Sequence, residues 1–200
     1  MLNSGLGTLS YLKSRILPAG AGEILDWDET LTKLGLAVAT KFQNHCNRVF
    51  DRTEDKVDEF NASATSIVLR AYPVEAITSV ELRYFDGTTD DFGGGWQLDQ
   101  GAGLMLFQTH PGNPTERIVI TYTGGYWLDD GRTQPAGSAA LPDDLLEAWV
   151  MQCQAWAEGR NLFGTVSLSG MEAKPDKPSP INLTPEVDNI LRPYRRFSGE

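Results

Sequence analysis

Two carboxylates two positions apart, with a threonine two further on, form the stretch Asp26-Trp27-Asp28-Glu29-Thr30. Asp-x-Asp-x-Thr suits phosphoryl transfer, with the first Asp attacking phosphorus, the second moving a proton, and both holding magnesium. That chemistry needs the motif at the tip of a buried parallel strand, followed by a loop. Here only Ile24-Leu25 precede it, after Gly20-Ala21-Gly22, and a helical apolar repeat follows at once. Carboxylates crowded at a helix start are stabilised by the helix dipole. Helix capping is therefore the reading, and a phosphatase-like hydrolase using Asp26 and Asp28 is carried as an alternative.

The other chemical candidates fit less well. His45 and His110 are the only histidines. His45 adjoins Cys46, but sequence neighbours on a helix point apart. No second Cys/His pair at metal-ligand spacing exists, and Asp86, Asp90, Asp91 and Asp99 lack the spacing of a calcium loop. Gly93-Gly94-Gly95 and Gly101-Ala102-Gly103 lack the Lys-Ser/Thr of a phosphate-binding loop and read as hairpin turns. No Gly-x-Ser-x-Gly elbow is present. The residues thus point to no enzyme, no cofactor and no metal.

A net charge of −10 and a pI near 4.7 disfavour tight phosphate binding, and an acidic surface repels passing DNA. The sequence shows neither a basic leader followed by an apolar run nor a stretch able to span a bilayer, so the expectation is a protein kept in, or assembled from, a cytoplasm. Cys46 and Cys153 are expected as free, buried thiols.

The elements that would position any site follow from periodicity. Leu6, Leu9, Leu12 and Ile16 predict a helix over about 6–17. Leu31, Leu34, Val38, Phe42 and Cys46 predict another over about 27–47. Leu141-Pro142-Asp143-Asp144 starts a third, over about 142–160, with Leu145, Leu146, Trp149, Val150, Cys153, Trp156 and Ala157 on one broad apolar face. The charged stretch from Phe50 to Asn61 reads as an exposed hairpin or loop. Beyond it the period becomes two, predicting about five short antiparallel strands within about 57–123, the last ending at Thr123 before Gly124-Gly125.

The predicted fold class is α+β: a small helical bundle with an inserted antiparallel β-sheet subdomain and an extended C-terminal tail. The core is expected over 1–165. An arm over 166–200 runs through the proline-spaced Lys174–Pro180 to a short helix at about 185–191 capped by Thr184. Leu191, Arg192, Tyr194, Arg195, Arg196 and Phe197 close this arm with the arginine and aromatic content of a docking peptide, whose partner lies in its own domain or another molecule.

Five segments in this order carry a resemblance: Cys46-Asn47-Arg48-Val49-Phe50, Tyr72–Val80, Tyr122–Tyr126, Leu141–Ala148 and Leu191–Arg196. Together they resemble the head–tail connector (adaptor) proteins of tailed bacteriophages, the gp6-like/gp15-like group. The resemblance implies a virion structural protein without catalytic activity, located in the neck and assembled in the host bacterial cytoplasm. It implies a homo-oligomeric ring, commonly a dodecamer, that sits below the portal protein, extends the DNA channel without specific DNA binding, and offers a surface to the stopper and tail. It places portal docking on the C-terminal segment, which here maps to Leu191 through Phe197. A stopper or tail-terminator neck protein is the alternative of the same kind. The glycine-rich stretch between Tyr84 and Glu116 is longer than in the more helical members of that group.

Overall fold

A computed structural model describes residues 5–17, 27–128, 132–159 and 182–196. The chain is α+β and forms two compact units. One, helical, takes Met1–Cys46, Asp129–Arg132 and Leu141–Tyr194; the other, built of sheet, takes Asn47–Leu128, Thr133–Ala140 and Arg195–Glu200.

In the helical unit α1 (Leu9–Ile16) begins later than the apolar repeat, because the Thr8 hydroxyl caps it by accepting from the Tyr11 amide. Leu6 is nevertheless buried, just ahead of the helix. α2 (Asp28–Cys46) buries Leu31, Leu34, Val38, Phe42 and Cys46, and α3 (Asp143–Gly159) buries Leu145, Ala148, Trp149, Val150, Cys153, Trp156 and Ala157. The indole of Trp149 donates to the Gly35 carbonyl at 2.9 Å, pinning α3 to α2. Two glycines let the chain ahead of α1 approach this point. A Cβ on Gly5 (φ +124°) would lie 2.6 Å from the Gly35 oxygen, and one on Gly7 would lie 3.0 Å from the Trp149 ring. Both cysteines are buried free thiols, and burial pushes the Cys153 thiol up, which keeps it protonated and inert.

The sheet unit departs from the expected single sheet of five strands. Its first sheet is antiparallel in the order β1 (Thr53–Asn61), β7 (Arg117–Gly124), β3 (Val74–Arg83), β4 (Thr89–Asp91); its second is antiparallel in the order β2 (Ser66–Val68), β6 (Leu104–Phe107), β5 (Trp96–Asp99). A short parallel pair, β8 (Tyr126–Trp127) with β9 (Ala139–Ala140), completes it. Ile67, Met105 and Phe107 from the second sheet join Val80, Ile118, Ile120 and Tyr122 from the first in one buried cluster. Two sheets thus share one core, while β4 is exposed along its whole length.

The stretch read as an exposed loop is β1, an edge strand. Its charges alternate, so that Val57 and Glu59 face out while Asp58 is buried. Charge counting hides such a strand, since an edge strand exposes more of its length than a central one. Asp58 is satisfied: Oδ2 accepts from the Tyr122 hydroxyl at 2.6 Å and the Arg70 amide at 2.9 Å, and Lys56 stands 3.7 Å from Oδ1. The Tyr122 oxygen in turn accepts from the Ala71 amide at 2.9 Å. The expected strand break falls at Gly125, whose φ is +100° and where a Cβ would lie 2.4 Å from the Asp51 carbonyl oxygen.

Asp51 itself carries a buried Oδ1 without a hydrogen-bond partner, and burial raises its pKa. The folded state therefore binds the Asp51 proton more tightly than the unfolded chain does. Stability falls as pH rises from the ordinary carboxylate range through the raised value, and the penalty persists at neutral pH. Asp51→Asn accordingly raises the melting temperature at pH 7, and its advantage over wild type shrinks on acidification. Thermal melts of both proteins from pH 3 to 7 check this.

Candidate functional site

The C-terminal segment is the expected site, and the structure seats its first part in the helical unit. α4 (Pro185–Leu191) begins as expected, with the Thr184 hydroxyl accepting from the Val187 amide at 3.4 Å. Val187 and Leu191 are fully buried, so the Leu191 side chain belongs to the chain's own core rather than to its surface. The Cys46 thiol donates to the Leu191 carbonyl at 3.8 Å, and His45 Nε2 lies 2.9 Å from Asp188 Oδ1. The segment thus finds its first partner within its own domain.

Gln152 makes the seat specific, and the sequence reading passed over it. It is fully buried on α3, where its amide donates to the Asn182 carbonyl at 3.2 Å and accepts from the Thr184 amide at 3.0 Å. The Trp156 indole donates to the same Asn182 carbonyl at 3.3 Å. The signal was available, since Gln152 follows Ala148 by four positions and Trp149 by three, inside the apolar face. A glutamine there reads as tolerated; only the arriving backbone shows that it serves as a clamp. Gln152→Ala leaves the Thr184 amide unmatched and takes one of two donors from the Asn182 carbonyl, which costs about 1 kcal/mol. Denaturant unfolding measures the loss, and limited proteolysis shows faster cleavage within residues 182–196.

The remaining site residues are divided between the two units. Arg192 is exposed and lies 3.8 Å from Asp188, one helical turn earlier. Tyr194 donates its hydroxyl to Asp144 at 2.8 Å. Arg195 and Arg196 belong to the sheet unit. There Arg196 Nε donates to the Val68 carbonyl at 2.8 Å, and its guanidinium lies 5.9 Å from the Phe60 ring centre. Burial, then the Arg70 charge, lowers the Arg196 pKa. Phe197 lies outside the described residues.

Asp28 stands in the first turn of α2 and is paired with Lys13 of α1; Asp26 lies outside the described residues. The ring of His110 faces the Ser63 carbonyl. Asp86 accepts from Thr88, and Asp90 from Tyr84. Among the described residues no three His, Cys, Asp or Glu side chains are grouped to hold a metal ion, and no helix is long and apolar enough to cross a membrane.

A second polar cluster was invisible to sequence reading. Arg48, buried in the sheet unit, donates to the Tyr72 carbonyl and lies 3.4 Å from the centre of the Tyr72 ring, 4.9 Å from that of Phe50 and 5.3 Å from that of Tyr126. Such a cage stabilises a guanidinium away from water. Arg52 is held by Glu75 through two bonds of 2.7 and 2.9 Å, and by Glu54 at 2.5 Å, which raises its pKa further. Arg52 is paired with carboxylates and Arg48 is enclosed by rings, each within its own unit, so both have the character of structural fasteners.

No protein-family model matches this chain, and no curated protein does so. Solved structures do. A chain from the neck of an empty gene transfer agent (GTA) particle computed with C6 symmetry is similar over 100% of this chain and 95% of that one, with a TM-score of 0.61 and 18% identity. A chain from the virion of a native GTA particle is similar over 100% and 95%, with a TM-score of 0.58 and 16% identity. Identities this low speak for shared architecture alone: the α+β fold of this chain is that of these GTA particle chains, along its full length.

Proposed function

We propose that this chain is a structural neck protein of a phage-like particle. In this reading it is an adaptor that forms a ring below the portal, extends the DNA channel and provides the attachment surface for the stopper and tail. One observation carries the proposal: the full-length likeness to a chain of a GTA neck. That neck was computed with six-fold symmetry, which a ring of twelve satisfies. The net charge of −10 fits a channel past which DNA slides without being held. The protein acts by assembly and performs no catalysis, and its place is the virion neck after assembly in the host bacterial cytoplasm.

Portal docking falls to the end of the C-terminal segment. Leu191 and Val187 anchor α4, while Arg192, Tyr194, Arg195, Arg196 and Phe197 supply the arginine and aromatic contacts typical of interface hot spots.

Light scattering and negative-stain imaging of the purified chain, alone and with the portal protein of its particle, test the reading. A closed ring, formed alone or on the portal, is the expected result. A monomer that ignores the portal and binds the tail tube assigns it instead to the stoppers or tail terminators. Arg192→Ala is expected to weaken portal binding tenfold or more, while the loss of its exposed pair with Asp188 costs only about 0.5 kcal/mol of stability.

A further inference from the structure

Among the described residues the most exposed large apolar side chain sits at the tip of the β3–β4 hairpin. Phe85 is 91% exposed there. The turn beneath it is rigidly built. The Tyr84 amide donates to the Thr88 carbonyl at 2.9 Å, the Gly87 amide to the Tyr84 carbonyl at 3.0 Å, and the Thr88 amide and hydroxyl to Asp86 Oδ1 at 2.9 and 2.6 Å. Gly87 supplies the positive φ (+88°) that the turn needs. Further down, the Tyr84 hydroxyl donates to Asp90 at 3.0 Å, and Phe92 packs edge-on against Phe107 with ring centres 5.7 Å apart. A rigid turn loses little conformational freedom on docking, so an aromatic held on it binds without a large ordering penalty.

Charge narrows the partner. Residues 84–91 carry three carboxylates, Asp86, Asp90 and Asp91, and no cation. At the root of the hairpin Arg83 is engaged with Glu59 at 2.5 Å, next to Arg117. Such a tip is repelled by nucleic acid and by anionic lipid. A second copy offers no match at this groove, since the cleft of about 690 Å³ lined by Ile77, Trp96 and Leu98 carries Asp99 and no cation. What remains is a different protein with an apolar pocket edged by Lys or Arg.

We propose that the β3–β4 hairpin is a docking finger, with Phe85 entering an apolar pocket of a second, different protein and Asp86, Asp90 and Asp91 meeting basic side chains on the rim of that pocket. That this protein is another component of the particle rests on the neck reading; the chemistry of the contact rests on the hairpin alone.

The test replaces Phe85 with a photo-reactive benzoylphenylalanine in the full-length chain during particle production, followed by irradiation and mass-spectrometric mapping of the adduct. The expected product is one adduct to a different protein, at an apolar site flanked by Lys or Arg. Its yield falls fivefold or more when Asp90→Asn and Asp91→Asn are added. Phe85→Ala, which disturbs no packing, then weakens affinity for the mapped protein at least tenfold. An adduct to a second copy, to nucleic acid or to lipid, no adduct at all, or unchanged affinity in Phe85→Ala overturns the proposal. The neck reading fails separately, if the chain is absent from purified particles while an adduct to a different basic-rimmed protein still forms.

Discussion

Trp149→Ala lowers the stability of the helical unit by about 4 kcal/mol, the middle of the range for removing a large buried aromatic. The indole is fully buried and its N–H is spent on Gly35, so truncation removes packing and a hydrogen bond together. Gly7 closes against the same ring and has no side chain of its own to refill the hole. Trp149→Phe separates the two contributions, since it keeps most of the ring and loses the hydrogen bond, for about 1 kcal/mol beyond its packing change. Guanidinium unfolding followed by far-UV circular dichroism reads both variants. A loss below 1 kcal/mol for Trp149→Ala would show that α2 and α3 are held by other contacts.

Asp58→Ala destabilises the sheet unit by about 3–5 kcal/mol, the loss expected when one member of a buried charged network is removed. Three groups lose their acceptor: the Tyr122 hydroxyl, the Arg70 amide and the Lys56 ammonium nearby. Tyr122→Phe costs less, about 2 kcal/mol, because Asp58 keeps the Arg70 amide while the Ala71 amide is left unmatched. Burial, then the neighbouring Asp58, raises the Tyr122 pKa, so the phenol remains a donor across the working pH range. The double variant costs less than the two single losses added together, by 1 kcal/mol or more, since both break the same bond. Urea denaturation of the four proteins decides it; additive losses would mean that the two residues act independently.

These two sites show what was legible in the sequence. Trp149 stands out because Leu145, Cys153 and Trp156 repeat around it at helical spacing, and spacing is a local property. Tyr122 is legible as a strand residue, alternating with Thr121 and Thr123. Its partner is not, because Asp58 lies 64 positions away in a charged stretch where Glu54, Asp55 and Glu59 are exposed. The same limit hid Gln152, whose meaning depends on the backbone of Asn182 and Thr184 arriving from elsewhere. The division of the strands between two sheets was hidden too, since alternation reports which face is dry and not which strand lies alongside. At the C-terminal segment the residue types spoke of docking but left the partner open. Leu191 shows why, since an apolar residue on a short helix fits its own core as well as a foreign pocket.

The sheet unit interrupts the helical unit in sequence, and this has a consequence for the order in which the chain forms. Nearly one hundred residues separate Cys46 from Asp143, so α2 leaves the ribosome well before α3 exists to cover it. The intervening strands can complete their own ladder first. When they do, the Tyr126 amide reaches the Phe50 carbonyl at 2.7 Å and the Arg52 amide reaches the Tyr126 carbonyl at 2.9 Å, so the two ends of the insertion are already stitched together. The loop left to close between α2 and α3 is then roughly a fifth of its contour length, easing closure by about 1 kcal/mol. Synthesis from the N-terminus therefore favours a sheet-first route, in which a finished β unit delivers α3 to a waiting α2.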